Sequence, residues 1–178
     1  MRLYKGAGPG TYWNQNDARL TGFHVDRTLV VNNSAVIRHV AFSSFPSPLL
    51  SFSTSYAIAL AYSLAGPWGK VSTSKPGLVY EIDTDLAPVT IYNPIAEIVD
   101  GSFVHTHDGD PSLILGIASF ALHGHILQQA VKRLSCLPRP PKVSDELCGL
   151  VFSIRDAEIL TGIVPKACVL NVHRITAP

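Results

Sequence analysis

Three short segments of the sequence carry side chains that could act together on a phosphorylated sugar. Lys5 follows a tyrosine near the start of the chain, three hydroxyl residues stand together at Ser53–Ser55, and the carboxylates Asp156 and Glu158 stand near the end. An ammonium group can hold a phosphate, hydroxyl groups can donate and accept hydrogen bonds, and a carboxylate stabilises positive charge that develops beside it. Together, these groups could bind a phosphorylated ligand and stabilise positive charge on it, provided that the fold brings them together.

Each of these segments belongs to a predicted element. Arg2–Lys5 predicts a short strand, which the glycine-rich turn Gly6–Gly10 ends. Leu49–Ser53 predicts a second strand that runs into an Ala-rich helix, with Tyr56, Ile58, Ala59 and Tyr62 at helical spacing. Ser53 or Thr54 is predicted to cap this helix, and Gly66-Pro67 to end it. Ala157–Leu160 predicts a late strand that carries Glu158.

The remaining elements complete the expected fold. Residues 11–28 are predicted to be irregular and anchored by Trp13 and Phe23, residues 112–134 to be helical, and residues 137–142 to form a loop. Further strands are predicted at Thr28–Val31, Ala35–Phe42, Gly77–Asp83, Thr90–Tyr92, Cys148–Ile154 and Cys168–Ile175. The sum is an α+β fold of mostly antiparallel strands, in a single domain covering residues 1–178.

The composition excludes several classes of protein. The chain has 178 residues, 47% of them apolar and 15% charged, with a net charge of +1. Disorder needs few apolar and many charged residues, and a nucleic-acid or anionic-membrane binder usually shows a basic excess. The three cysteines lack paired zinc spacing and are predicted to be reduced thiols. No apolar run is long enough for a membrane helix, and the first residues do not form a signal peptide.

Taken in order, three motifs resemble those of the ADP-ribosyltransferase superfamily. They are Leu3-Tyr4-Lys5-Gly6, then Ser53-Thr54-Ser55 leading into a helix, then the tail from Asp156 and Glu158 through Gly162-Ile-Val-Pro165. The tail is the most specific of the three. The resemblance implies a split β-core with flanking helices. It also implies an enzyme that cleaves the nicotinamide–ribose bond of NAD, its substrate, and transfers ADP-ribose to a protein or nucleic acid.

The resemblance also implies a role for each site residue. Glu158 would orient the ribose and stabilise the oxocarbenium-like transition state, and Asp156 would engage the acceptor. Lys5 would contact phosphate or ribose, and Tyr62 would stack on nicotinamide, with Tyr56 in reserve. The NAD scaffold would be formed by Ser53, Thr54 and Ser55.

Two positions depart from the family pattern and keep alternatives open. Lys5 stands where the family has Arg or His, and it lacks the planar fork that grips phosphate in two places. Asp156 stands where the family has Glu or Gln, and its side chain is shorter. The alternatives are an NAD-degrading toxin that uses water or phosphate as the acceptor, and a catalytically inactive binding module on the same fold.

Simpler interpretations apply to several of these residues. The serines can be helix caps, Tyr62 a core aromatic, and Lys5 a solvated surface residue. His105 and His107 fall in an expected loop, while His123 and His125 point apart on a helix, so no metal site is predicted.

The resemblance also predicts the setting in which the protein acts. A bacterial toxin or effector would act in the cytoplasm, without contact with a membrane, and could be delivered into another cell without a cleaved signal peptide. Such a protein would have an immunity or antitoxin protein as a possible partner.

Overall fold

A six-stranded antiparallel sheet forms the centre of the structure, a computed structural model that describes residues 1–25, 28–42, 46–101 and 145–176. Its strands lie in the order β6-β7-β2-β1-β5-β8, and the short strands β3 and β4 form a separate hairpin. In chain order they are β1 Arg2–Ala7, β2 Leu50–Ser53, β3 Ala65–Gly66, β4 Gly69–Lys70, β5 Gly77–Asp83, β6 Ile91–Tyr92, β7 Glu158–Thr161 and β8 Val169–Ile175.

Six α-helices in the described ranges surround the sheet: α1 Tyr12–Gln15, α2 Ala18–Thr21, α3 Asn33–Phe42, α4 Tyr56–Ser63, α5 Pro94–Gly101 and α6 Asp145–Arg155. A 3-10 turn, Lys166–Cys168, precedes β8. None of the helices in these ranges has the length and apolar character needed to cross a membrane.

Two hydrophobic clusters hold the helices to the sheet. The first packs Phe23 edge-on against Phe52 and Tyr80, and the predicted anchor Trp13 lies on Phe23. The second lies where α3, α5 and α6 pack together over β7, and is built from Val36, Val40, Leu49, Ile98, Leu150 and Leu160. This second cluster fixes α3 and α6 beside the strand that begins at Glu158.

The predicted α+β class and most of the predicted strands are confirmed. Strands are present at or within one or two residues of the predicted bounds for β1, β2, β5, β6, β7 and β8. The helix after β2 is also confirmed, although it ends at Ser63 and not at Gly66-Pro67. Trp13 and Phe23 are buried as predicted, but two short helices, α1 and α2, occupy the segment that was expected to be irregular.

Three predicted strands are wrong. Ala35–Phe42 lies in α3 and Cys148–Ile154 in α6. Both segments are rich in β-branched or apolar residues, but tertiary packing decides their conformation: Val36 and Val40 are one helical turn apart and buried together. Thr28–Val31 has no strand partner, and Val30 is 76% exposed.

Some predictions fall outside the described residues. They are the helix at 112–134, the loop at 137–142, the four histidines at 105, 107, 123 and 125, and Cys136. The other two cysteines, Cys148 and Cys168, are both fully buried.

Candidate active site

A pocket of about 590 Å³ lies where β1, β2 and β7 meet α3, α4 and α6. Five of the residues proposed from the sequence line it: Lys5, Ser53, Tyr62, Asp156 and Glu158. Thr54 and Ser55 do not line it. The fold therefore brings residues from both ends of the chain and from its middle to one cavity.

Strand order creates this convergence. β2 lies between β1 and β7, and Ser53 is the direct partner of Tyr4 on one side and of Glu158 on the other. Residues directly opposite each other in antiparallel strands share a face of the sheet. Tyr4, Ser53 and Glu158 thus form a row across three strands, and this row faces the pocket.

Gly6 allows the helix α4 to lie close against β1. A Cβ atom at this position would clash with the carbonyl oxygen of Ala59 and would lie 2.9 Å from the Cβ of Tyr62. The absence of a side chain at Gly6 therefore sets the height of Tyr62 above the sheet.

Lys5 is a partly buried cation that reaches into the gap between β1 and β2. Registered pairing between these strands is limited to Tyr4 and Ser53. The Lys5 Nζ donates a hydrogen bond of 2.8 Å to the Ser51 carbonyl and lies 5.3 Å from the centre of the Phe52 ring. Burial lowers the pKa of Lys5 to about 8, and the charge of Glu158 acts against this effect.

Glu158 begins β7 in surroundings that disfavour its charge. Burial raises the pKa of its carboxyl group to about 7. The nearby charge of Asp156 adds to this rise, while the Ser51 hydroxyl, Lys5 and Arg155 act against it. Near neutral pH the side chain can therefore be protonated or ionised, and a cation entering the pocket would favour the ionised form.

The serine–threonine segment holds the backbone that presents Glu158. Ser53 Oγ donates to the Asp156 carbonyl at 2.7 Å, and the Thr54 amide donates to the Ala157 carbonyl at 3.0 Å. Ala157 has a φ of +46°, a left-handed conformation that is unusual for a residue with a Cβ. The two hydrogen bonds fix this turn directly before Glu158.

The predicted cap of α4 by Ser53 or Thr54 is wrong. Ser55 is the N-cap residue, and its side chain makes no capping hydrogen bond. Ser53 instead accepts a hydrogen bond of 3.0 Å from the Ser55 amide, outside the helix, while its own proton is used on the Asp156 carbonyl. Its role is thus to connect β2 with the end of α6.

Asp156, Arg155 and Tyr62 form one polar cluster at the pocket. The Arg155 guanidinium donates to both carboxylate oxygens of Asp156 at 2.6 Å, and the Tyr62 hydroxyl donates to Asp156 Oδ2 at 2.6 Å. Burial raises the pKa of Tyr62 to about 12, and the hydrogen bond to Asp156 acts in the same direction. Tyr62 is 52% exposed, so its ring remains accessible beside the pocket.

His39, Ser51 and Arg155 also line the pocket, and the sequence analysis did not propose them. His39 Nδ1 lies 2.6 Å from Ser47 Oγ, and its Nε2 lies 2.8 Å from Ser51 Oγ. Burial lowers the pKa of His39 to about 4, so the imidazole is neutral at physiological pH. The helical spacing of Val36, His39 and Val40 was the available signal, since it places the three residues on one side of a helix.

Two general findings complete the description of the site. Within the described ranges, no three His, Cys, Asp or Glu side chains converge as metal ligands. No protein-family model, curated protein or solved structure gives a significant match to this chain.

Proposed function

We propose that this protein is an NAD-dependent mono-ADP-ribosyltransferase that cleaves the nicotinamide–ribose bond and passes ADP-ribose to a macromolecular acceptor. The observation that carries the proposal is the meeting of Lys5, Ser53, Tyr62 and Glu158 around one pocket. Its volume of about 590 Å³ is in the range of small-ligand sites. The limited pairing of β1 with β2 supports the split β-core that the resemblance implies.

The proposed chemistry depends on the charge of Glu158. Cleavage of the bond develops positive charge on the ribose, and an ionised carboxylate beside that sugar stabilises the charge where it forms. Oxidised NAD carries a positive charge on its nicotinamide ring, so its binding would favour the ionised form of Glu158 over the protonated one. The same carboxylate would accept a hydrogen bond from a ribose hydroxyl.

The other pocket residues would bind the rest of NAD. Lys5 lines the pocket and would bind phosphate or ribose oxygens, with its Nζ held by the Ser51 carbonyl. The exposed ring of Tyr62 would stack on nicotinamide. Ser53, Thr54 and Ser55 would serve the site through the backbone that they hold, and Ser53 alone of the three lines the pocket.

The biological setting remains part of the proposal. A toxin or effector acting in the cytoplasm, with a protein or nucleic-acid acceptor and an immunity protein as partner, accords with an enzyme that consumes NAD.

Nicotinamide release from NAD tests the proposal. The change Glu158→Gln keeps the shape of the side chain and removes its charge, so we expect release to fall by about 100-fold or more. Glu97→Gln, on α5 and outside the pocket, is the matched control and should leave the rate unchanged. Absence of release by the unmodified protein would favour a non-catalytic binding module, whereas release at equal rates by both variants would contradict the role of Glu158.

A second candidate function is NAD hydrolysis, with water as the acceptor. It is favoured by the cluster around Asp156, whose two carboxylate oxygens are engaged by Arg155 and Tyr62 and so are not directed at an acceptor. NAD labelled in its adenylate half separates the two functions. Hydrolysis yields free labelled ADP-ribose with no label on macromolecules, whereas transfer yields labelled protein or nucleic acid when a cell extract is supplied.

A further inference from the structure

The hydroxyl group of Tyr62 is held by two neighbouring residues at the end of α6. It donates a hydrogen bond of 2.6 Å to Asp156 Oδ2 and accepts one of 2.9 Å from Arg155 Nη2. The directions of both bonds follow from the groups, because a guanidinium can only donate and an ionised carboxylate can only accept. The hydroxyl therefore places its proton on one charged partner and a lone pair on the other.

Arg155 and Asp156 are themselves held as a pair. The guanidinium donates from Nε to Asp156 Oδ1 and from Nη2 to Oδ2, both at 2.6 Å, which is the two-point geometry that arginine makes with a carboxylate. Its central carbon lies 4.7 Å from the centre of the Phe152 ring, one turn earlier on α6. From the sheet, Ser53 Oγ donates to the Asp156 carbonyl at 2.7 Å. The pair is thus tied to both α6 and β2.

The side chain of Tyr62 is consequently fixed at both ends. At its base, the Cβ atom lies close over Gly6, where the bare backbone of β1 lets α4 approach. At its tip, the hydroxyl is held by Asp156 and Arg155. A side chain that is 52% exposed would otherwise exchange between rotamers, and a ligand would have to order it on binding.

We propose that Arg155 and Asp156 are positioning residues for Tyr62: together they hold its hydroxyl, so that the ring presents one orientation to a ligand in the pocket. That this ligand is the nicotinamide of NAD rests on the proposed function, whereas the hold on the hydroxyl does not. The role differs from contact with the acceptor, which the resemblance implies for Asp156. Both of its carboxylate oxygens are engaged within the protein, and its side chain is 18% exposed.

The groups that face the Tyr62 hydroxyl decide how it titrates. Burial, followed by the hydrogen bond to Asp156 and the charge of that residue, raises the pKa of Tyr62 to about 12. The charge of Glu158, on β7, acts in the same direction, and that of Arg155 acts against it. Lys5 also lines the pocket, from β1. Replacing Asp156 therefore removes one contact of the hydroxyl and leaves the other charged residues in place.

The direct test is the titration of Tyr62, followed by NMR of protein labelled with ¹³C at the tyrosine ζ-carbons. The sequence contains six tyrosines, and Tyr62→Phe identifies the signal of Tyr62. We expect Asp156→Asn, which keeps the shape of the side chain and removes its charge, to lower the pKa of Tyr62 by about one unit or more. Asp156→Ala should lower it too and provides a second variant if the first folds poorly.

Asp17→Asn is the matched control. Asp17 forms a similar two-point pair with the guanidinium of Arg19, at the start of α2 and outside the pocket. Its replacement should leave the Tyr62 signal unchanged. If Asp156→Asn gives the same Tyr62 titration as Asp17→Asn, the proposal is overturned.

A double-mutant cycle shows whether the pair acts on a ligand through the Tyr62 hydroxyl. Tyr62→Phe keeps the ring but loses the hydroxyl, and Asp156→Asn loses its charged partner, so we expect each to weaken NAD binding by about 10-fold. The double variant should bind NAD no more weakly than either single variant, because both changes break the same contact. Arg155→Lys, which keeps the charge but loses the planar fork, should behave in the cycle as Asp156→Asn does. Calorimetric titration with NAD measures the dissociation constants, and losses that multiply would contradict the positioning role.

The two measurements separate this proposal from the proposed function. If Asp156→Asn shifts the Tyr62 titration but the unmodified protein neither binds NAD nor releases nicotinamide, the positioning role stands and the proposed function fails. If nicotinamide is released but the titration does not move, the reverse conclusion holds. Should Asp156 serve the acceptor instead, Asp156→Asn would lower the transfer of ADP-ribose to macromolecules and leave both NAD binding and the Tyr62 titration unchanged, which would also overturn the proposal.

Discussion

Glu158 occupies a position that opposes its own ionisation. Its pKa of about 7 reflects burial that is only partly offset by the Ser51 hydroxyl and by the cations Lys5 and Arg155. An ionisable residue whose charge is disfavoured in the folded state lowers the stability of the protein. Such residues are common in functional sites. Burial of this carboxyl group should therefore make the free energy of unfolding depend on pH.

The stability difference between Glu158→Gln and the unmodified protein should depend on pH. A raised folded-state pKa means that the folded chain binds the proton more tightly, so the contribution of Glu158 to stability is complete below pH 4.5 and is lost as the pH rises through 7. Glutamine does not titrate. We expect the variant to gain about 3 kcal/mol relative to the unmodified protein between pH 4 and pH 7.5.

Denaturant unfolding at a series of pH values measures this gain. The pKa of His39 is lowered to about 4, so protonation of this histidine destabilises both proteins as the pH falls, and it cancels in the difference. Measurements stay below pH 8, where Lys5 keeps its charge. Parallel stability curves for the two proteins would contradict the assigned environment of Glu158.

At the scale of elements, the pocket depends on how closely α4 approaches β1. The Ala59 carbonyl lies so near Gly6 that any side chain there must displace the helix. The displaced helix would carry Tyr62 away from Asp156 and Arg155. The position of one glycine on a strand is thus linked to the polar cluster on the far side of the pocket.

Gly6→Ala should therefore destabilise the protein by about 1–3 kcal/mol, the usual cost of overpacking. Gly162→Ala is the matched control, because a Cβ atom there meets nothing within 4 Å. Thermal unfolding compares the two variants. Equal melting temperatures would show that α4 accommodates the methyl group without cost, contrary to the expectation.

At the scale of the whole molecule, the sequence predicts the sheet better than the helices around it. Gly77–Asp83 alternates between apolar and polar residues, and burial in the strand follows that period except at Val79 and Tyr80, which are both buried. Ala35–Phe42 and Cys148–Ile154 have strand-like composition, but they form helices because they pack against each other over β7. Local propensity carries no information about such mutual packing.

The candidate site could be predicted in part for the same reason. Lys5, Ser53 and Glu158 lie on correctly predicted strands, and they meet at the pocket. His39 was not proposed, since a strand prediction for its segment gives no reason to place it beside Ser51. The hydrogen bond from Arg155 to the adjacent Asp156 depends on the turn at Ala157. No local sequence pattern predicts that turn.

The pairing of β2 with β7 has a consequence for the chain during its synthesis. Ser53 and Asp156, which share a hydrogen bond, are 103 positions apart. While the ribosome is still translating the intervening segment, β2 has β1 on one side and an open hydrogen-bonding edge on the other. A nascent chain therefore carries Lys5, Ser51 and Ser53 of the pocket before it carries Glu158. The free edge of β2 stays open to pairing with foreign strands until β7 has been synthesised.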